Sequence, residues 1–172
     1  MKTPQTSEFE ASLGPATAQH DIATVAAGFA APLQELLRSH GLEWIEVPAG
    51  TPIPGSYWGE TEAGLIGNRL YVRGDTPVHS VLHEACHYLC MDADRRWALH
   101  TDAGGTDPEE EAVCYLQVLL ADQVKGYSRA WLFADMDAWG YHFIAGSARA
   151  WFERDSADAR DWLVRRGLLP AS

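Results

Sequence analysis

His83-Glu84-Ala85-Cys86-His87 is the stretch on which the reading of this chain turns. It is an H-E-x-x-H pattern inside a segment, Pro77 to Met91, whose apolar spacing predicts a helix. Residues four apart stand one turn apart on the same helix face, so both imidazoles can converge on one metal ion. Glu84, beside the first histidine, is placed to take a proton from a water at such a metal. Asp75 or Thr76 can cap this helix, with Pro77 in its first turn.

Working outward toward the N-terminus, Leu65-Ile66, Gly67-Asn68 and Leu70-Tyr71-Val72 predict a hairpin with a Gly-Asn turn. A further strand is expected over Leu42–Val47 and a short aromatic one at Tyr57-Trp58, the two separated by the turn chemistry of Thr51 to Gly55. Before them, Ile22, Val25, Phe29, Leu33, Leu36 and Leu37 recur at helical spacing and predict a helix from Gln19 to His40, ended by Gly41. Residues 1–18, rich in Thr, Ser, Pro and Gly, are expected to form a flexible leader, and 19–172 a single domain.

Toward the C-terminus, 92–105 is a polar connection, and Asp107-Pro108-Glu109-Glu110 is a strong helix start running to about Lys125. A catalytic metal site wants a third ligand, and Glu109-Glu110-Glu111 offers candidates. Acids in a first turn complement the helix dipole, and Glu110, three after Asp107, can close a capping box. Glu111 is left over at the head of the stripe Glu111, Cys114, Tyr115, Val118, which makes it the favoured third ligand. Two or three further helices, carrying Trp131, Trp139, Trp151 and Trp162 as core, complete the expectation.

A strand hairpin, an H-E-x-x-H helix and a second helix bearing a glutamate resemble the gluzincin metallopeptidases. Within these, Glu111-Ala112-Val113-Cys114-Tyr115-Leu116 is similar to the Glu-Ala-Asn-x-Phe-Ala stretch of ImmA/IrrE-type enzymes, with Val113 where that family has Asn. The resemblance implies an α+β, zincin-like fold: an N-terminal helix, a small twisted sheet, the metal helix beneath it and a helical C-terminal part. It also implies Zn²⁺ on His83, His87 and Glu111, Glu84 as general base, and a peptide or protein substrate added to the sheet's edge at Tyr71–Arg73 or Tyr57-Trp58. Zincins commonly carry a His or Tyr beyond the second helix that stabilises the oxyanion; Tyr115, Tyr141 and His142 are the candidates.

Two other classes share these residues. Two histidines and a carboxylate also form the facial triad of Fe²⁺ oxygenases, and Ser80–His87 with Arg95-Arg96 faintly resembles the elongation factor P hydroxylases. A non-catalytic zincin-fold module would keep the metal for stability alone, though it would have no use for the base at Glu84. Cys86, Cys90 and Cys114 read as small buried hydrophobes, and His100 as an exposed loop residue.

Composition narrows the setting. The 172 residues carry 24 acidic and 13 basic side chains, for a formal charge of −11. Such a surface repels phosphate backbones and anionic bilayers, so neither nucleic acid nor membrane is an expected partner. Three cysteines without CxxC spacing, and a polar start with no signal-peptide pattern, predict a cytoplasmic protein.

Overall fold

In the computed structural model, residues 20–59 and 61–171 are described. The leader expected over 1–18 lies outside them. The helix expected over 19–40 is cut in two by Gly28, whose φ of 102° no helix accommodates. A 3₁₀ turn at Val25–Ala27 precedes the break and α1, Ala30–Ser39, follows it. Pro32 sits in the first turn of α1, where a missing N–H leaves no bond unmade.

Three short strands follow: β1, Glu43–Glu46; β2, Gly64–Ile66; and β3, Arg69–Val72. They lie in the order β1-β3-β2, with β1 parallel and β2 antiparallel to β3. Ile66 faces Arg69 across the expected hairpin, and Gly67 supplies the positive φ, 58°, that so tight a turn needs. Gly64 is fixed by sterics: a Cβ there would stand 1.9 Å from the Pro54 carbonyl oxygen of the loop crossing it.

The sheet corrects two expectations about its edge. Tyr71–Arg73 belongs to or follows β3, the central strand, and Tyr57-Trp58 is loop rather than strand. The outer side of β2 is also engaged: Thr101 N–H donates to Leu65 O at 3.0 Å and Gly67 N–H to Leu99 O at 2.9 Å.

α2, Val78–Cys90, matches its expected bounds to within a residue at each end. No side chain caps it; Thr76 Oγ1 instead accepts from Arg73 N–H, and Asp75 pairs with the Arg73 guanidinium. The start of α2 is tied to the N-terminal segment, with Val78 N–H donating to Ala23 O and Val25 N–H to Thr76 O, both at 2.9 Å. The helix runs through the core: Val78, Val81, Leu82, Ala85 and Cys86 are all buried, the larger ones contributing about 1.5–3 kcal/mol each.

The connection after α2 holds a helix not expected there, α3, Ala93–Ala98, capped by Asp92 accepting from Arg95 N–H. α4, Asp107–Ala121, is shorter at its C-terminal end than expected, and its N-cap is Thr106 rather than Asp107. α5, Arg129–Trp139, α6, Ala148–Arg154, and α7, Ala157–Arg165, complete the chain. α4 packs on α2 and on α7, and so lies at the centre of the helical part. Trp151 and Trp162 are buried as expected, whereas Trp131 and Trp139 are partly exposed. The architecture is therefore mixed α+β, with seven α-helices and one three-stranded sheet among the described residues. No described helix is long and apolar enough to cross a membrane.

Candidate metal centre

α2 and α4 bring three donor groups together. His83 Nε2 and His87 Nε2 are 3.1 Å apart, one turn along α2. Glu110 of α4 reaches both, Oε1 to His83 Nε2 at 3.1 Å and Oε2 to His87 Nε2 at 3.3 Å. A tetrahedral ion with bonds of about 2.0–2.1 Å has ligand–ligand edges of about 3.3–3.4 Å. The His83–His87 separation, and each histidine's distance to its nearer Glu110 oxygen, are close to that figure, so the two imidazoles and the carboxylate could hold a small divalent metal. Among the described residues, these three form the one His/Cys/Asp/Glu group close enough to share an ion.

The group includes Glu110 where Glu111 was the expected third ligand. Glu111 is exposed and lies outside the group. The cause is the azimuth of α4, which Glu109 sets. Glu109 is buried, and its Oε2 accepts from Arg95 Nη1 at 2.8 Å, while Arg95 Nη2 donates to Ala103 O at 2.7 Å. With Glu109 clamped, each further residue turns about 100° round the helix, bringing Glu110 to α2 and carrying Glu111 past it.

Gln117, fully buried on α4, is a residue the sequence reading missed. Its Oε1 lies 3.3 Å from His83 Nδ1, and its Nε2 donates to His79 O at 2.8 Å. Accepting at Oε1 holds a proton on His83 Nδ1, so Nε2, which faces Glu110 and His87, is the nitrogen a metal would take in place of its proton, the usual support of a metal-binding histidine. The signal was legible: Gln117 is the one polar side chain in the apolar run 112–118 apart from Tyr115, and it lies seven residues, two turns, after Glu110.

His79 was missed as well. It precedes His83 by one turn, so 79, 83 and 87 form a ladder along α2. Its Nδ1 is 3.3 Å from the Tyr141 hydroxyl and its ring lies 5.0 Å from that of Trp139. Burial, with the His83 charge adding to it, pushes His79 down to about 3, so this imidazole is neutral.

The charges of the site interlock. Burial lowers His87 to about 4, and the His83 charge lowers it too. Burial acts on His83 in the same direction, but Tyr141, Cys114 and Glu110 outweigh it and leave His83 well above the ordinary imidazole range. Glu110, opposed by burial, is held below the usual carboxylate range by its hydrogen bond to His83. Burial lifts Glu84 to about 7, against the pull of His83 and with help from Glu62 and Glu110. A carboxyl poised there can both accept and return a proton near neutral pH.

The group opens into a cavity of about 750 Å³, within the range of small-ligand sites. His83, Glu84 and Ser80 of α2 line it together with Glu110 and Cys114 of α4, and the segment 139–144 forms the facing wall. Tyr141 and His142 both line the cavity, Tyr141 with its ring 5.9 Å from that of His83 and His142 exposed. Tyr115 is not brought to the site: its ring stacks on Phe152 at 4.9 Å, away from the cavity. Cys86 and Cys90 are free and buried, and His100 is an exposed loop residue, both as expected. Comparison with protein-family models, with curated proteins and with solved structures gives no match to this chain.

Proposed function

We propose that this protein is a metal-dependent hydrolase, a zincin-type peptidase that cleaves a peptide bond. The observation that carries the reading is the placement of Glu84 on α2 between His83 and His87, facing Glu110 of α4, with His83, Glu84 and Glu110 lining one cavity. Two imidazoles and one carboxylate suit Zn²⁺, which when bound would polarise a carbonyl and acidify a water. Glu84, buried beside His83 and lining the cavity, would take the proton of the attacking water and pass it to the leaving amine. Tyr141, oriented by His79, offers its hydroxyl to the carbonyl oxygen as negative charge develops there. Three buried free thiols agree with a reducing, cytoplasmic setting.

The test is Glu84→Gln, which keeps the shape of the side chain and removes the base. The variant should bind zinc as the parent does and lose cleavage in a peptide-library digest by about 100-fold or more. Full activity in the variant would end the assignment. Metal analysis and an anaerobic assay separate this reading from the iron oxygenase that the same three ligands could support, because hydrolysis continues without dioxygen.

A further inference from the structure

The cavity has a charge asymmetry that metal chemistry does not account for. Six carboxylates line it and no lysine or arginine does. Glu84 and Glu110 belong to the chemistry of the site, and a dication there would offset their two charges. Four carboxylates remain: Glu62, Asp107, Glu111 and Asp155. Glu62 accepts from the Trp139 indole N–H at 3.0 Å. Among the described residues no cation pairs with any of the four. Asp107, in the first turn of α4, complements that helix's dipole, and Asp155 stands between the C-terminal end of α6 and the N-terminus of α7, whose opposite dipole ends offset each other there.

The second observation is the opposite character of the remaining wall. Trp139, Tyr141, Phe143 and Trp151 present aromatic surface to the same space, and Trp58 stands 78% exposed at its border. Aromatic faces attract cations as well as apolar groups. A concave surface with one sign of charge and low-dielectric walls concentrates ligands of the other sign.

From these features we propose that the cavity selects cationic peptides, carrying lysine or arginine beside a bulky apolar residue. This rests on the peptidase reading and names its substrate class. The apolar side chain lies against the Trp139–Trp151 wall, and the cationic one reaches the Glu111 and Asp155 carboxylates.

The test uses the full, zinc-loaded chain and a set of blocked peptides that differ only in the residue next to a phenylalanine: Arg, Gln or Glu. Binding is read by calorimetry and cleavage by mass spectrometry. The Arg peptide should bind about tenfold or more tightly than the Glu peptide, and the margin should shrink in high salt. The double variant Glu111→Gln/Asp155→Asn should cut that preference roughly three- to tenfold while leaving affinity for the Gln peptide in place. Equal binding of the three peptides, or a preference that neither salt nor the double variant reduces, overturns the proposal. The outcomes keep the two claims apart. Charge-selective binding without cleavage of any peptide upholds the cationic cavity and refutes the peptidase. Cleavage indifferent to charge refutes the cavity's selectivity and upholds the peptidase.

Discussion

Neutralising Glu110 and Glu111 in turn sets the ligand assignment against its nearest rival. Glu110→Gln retains an oxygen donor and a similar shape, so its principal loss is the negative charge. In the parent, both oxygens of Glu110 lie within 3.3 Å of the histidine nitrogens, and its side chain is half exposed. Unit charges at about 4 Å attract by roughly 1 kcal/mol in water and about 4 kcal/mol at the dielectric of a protein surface. A ligating carboxylate stands nearer than that to a doubly charged ion, while its exposure and the amide oxygen kept by the variant reduce the loss, so about 3 kcal/mol, or roughly 100-fold in zinc affinity, is the scale expected. Glu111 acts only at longer range through solvent, so Glu111→Gln should weaken zinc by about threefold at most.

The measurement is competition against a chromophoric chelator near neutral pH. All proteins should be compared at one pH, because protons on the imidazoles compete with the metal. Melting of the metal-free variants checks the fold: Glu110 and Glu111 sit in the same turn of α4, so a damaged helix start would lower both melting temperatures alike. Equal zinc affinity in the two variants, or a larger loss in Glu111→Gln, would refute the geometry derived from the Glu109–Arg95 clamp.

Other expectations follow from single contacts. Gln117→Leu removes the acceptor for His83 Nδ1 and should lower zinc affinity about 10- to 100-fold without touching a ligand, read by the same competition assay. Gly64→Ala drives a methyl into the Pro54 carbonyl and should cost on the order of 1–3 kcal/mol or more in urea unfolding; a neutral result would mean that the loop 53–56 does not hold its place. The Arg73 guanidinium keeps Asp75 below its ordinary pKa, so the pair's contribution is full above about pH 4 and is lost as pH falls through the lowered value. Because Asp75 is half exposed, that contribution is about 1 kcal/mol or less, and Asp75→Asn should remove the corresponding part of the acid limb of stability.

The elements with strong local signals were readable from the chain. α2 was bounded to within a residue because its apolar period is unbroken and proline stands at its entrance. The β2–β3 hairpin followed from Gly67-Asn68 between two apolar runs. Elsewhere local signals misled. The apolar spacing of 19–40 is helical on either side of Gly28, and periodicity alone does not register that one residue takes a left-handed φ. The pairing order β1-β3-β2 was hidden too, because strand order is set by the crossover between β1 and β3, not by either strand's composition. With β3 in the middle, the segment that looked like a free edge had none to offer.

The site divides along the same physical line. His83, Glu84 and His87 lie on one helix, and their relation is fixed by 3.6 residues per turn whatever surrounds them. Glu110 lies on another helix, and the choice between it and Glu111 is a rotation of about 100° about an axis. Hydrophobic pattern constrains such a rotation poorly here, because α4 is buried on most of its circumference beyond its first turn. Two polar facts decide it instead: Arg95 draws Glu109 inward at the start of the helix, and Gln117 needs partners two turns on. An unpaired buried amide or carboxylate costs several kcal/mol, more than a few methyl contacts can return, so buried polar side chains set the azimuth that apolar ones leave open. Read that way, Gln117 in an apolar run was the stronger clue to the third ligand than any glutamate in the run before it.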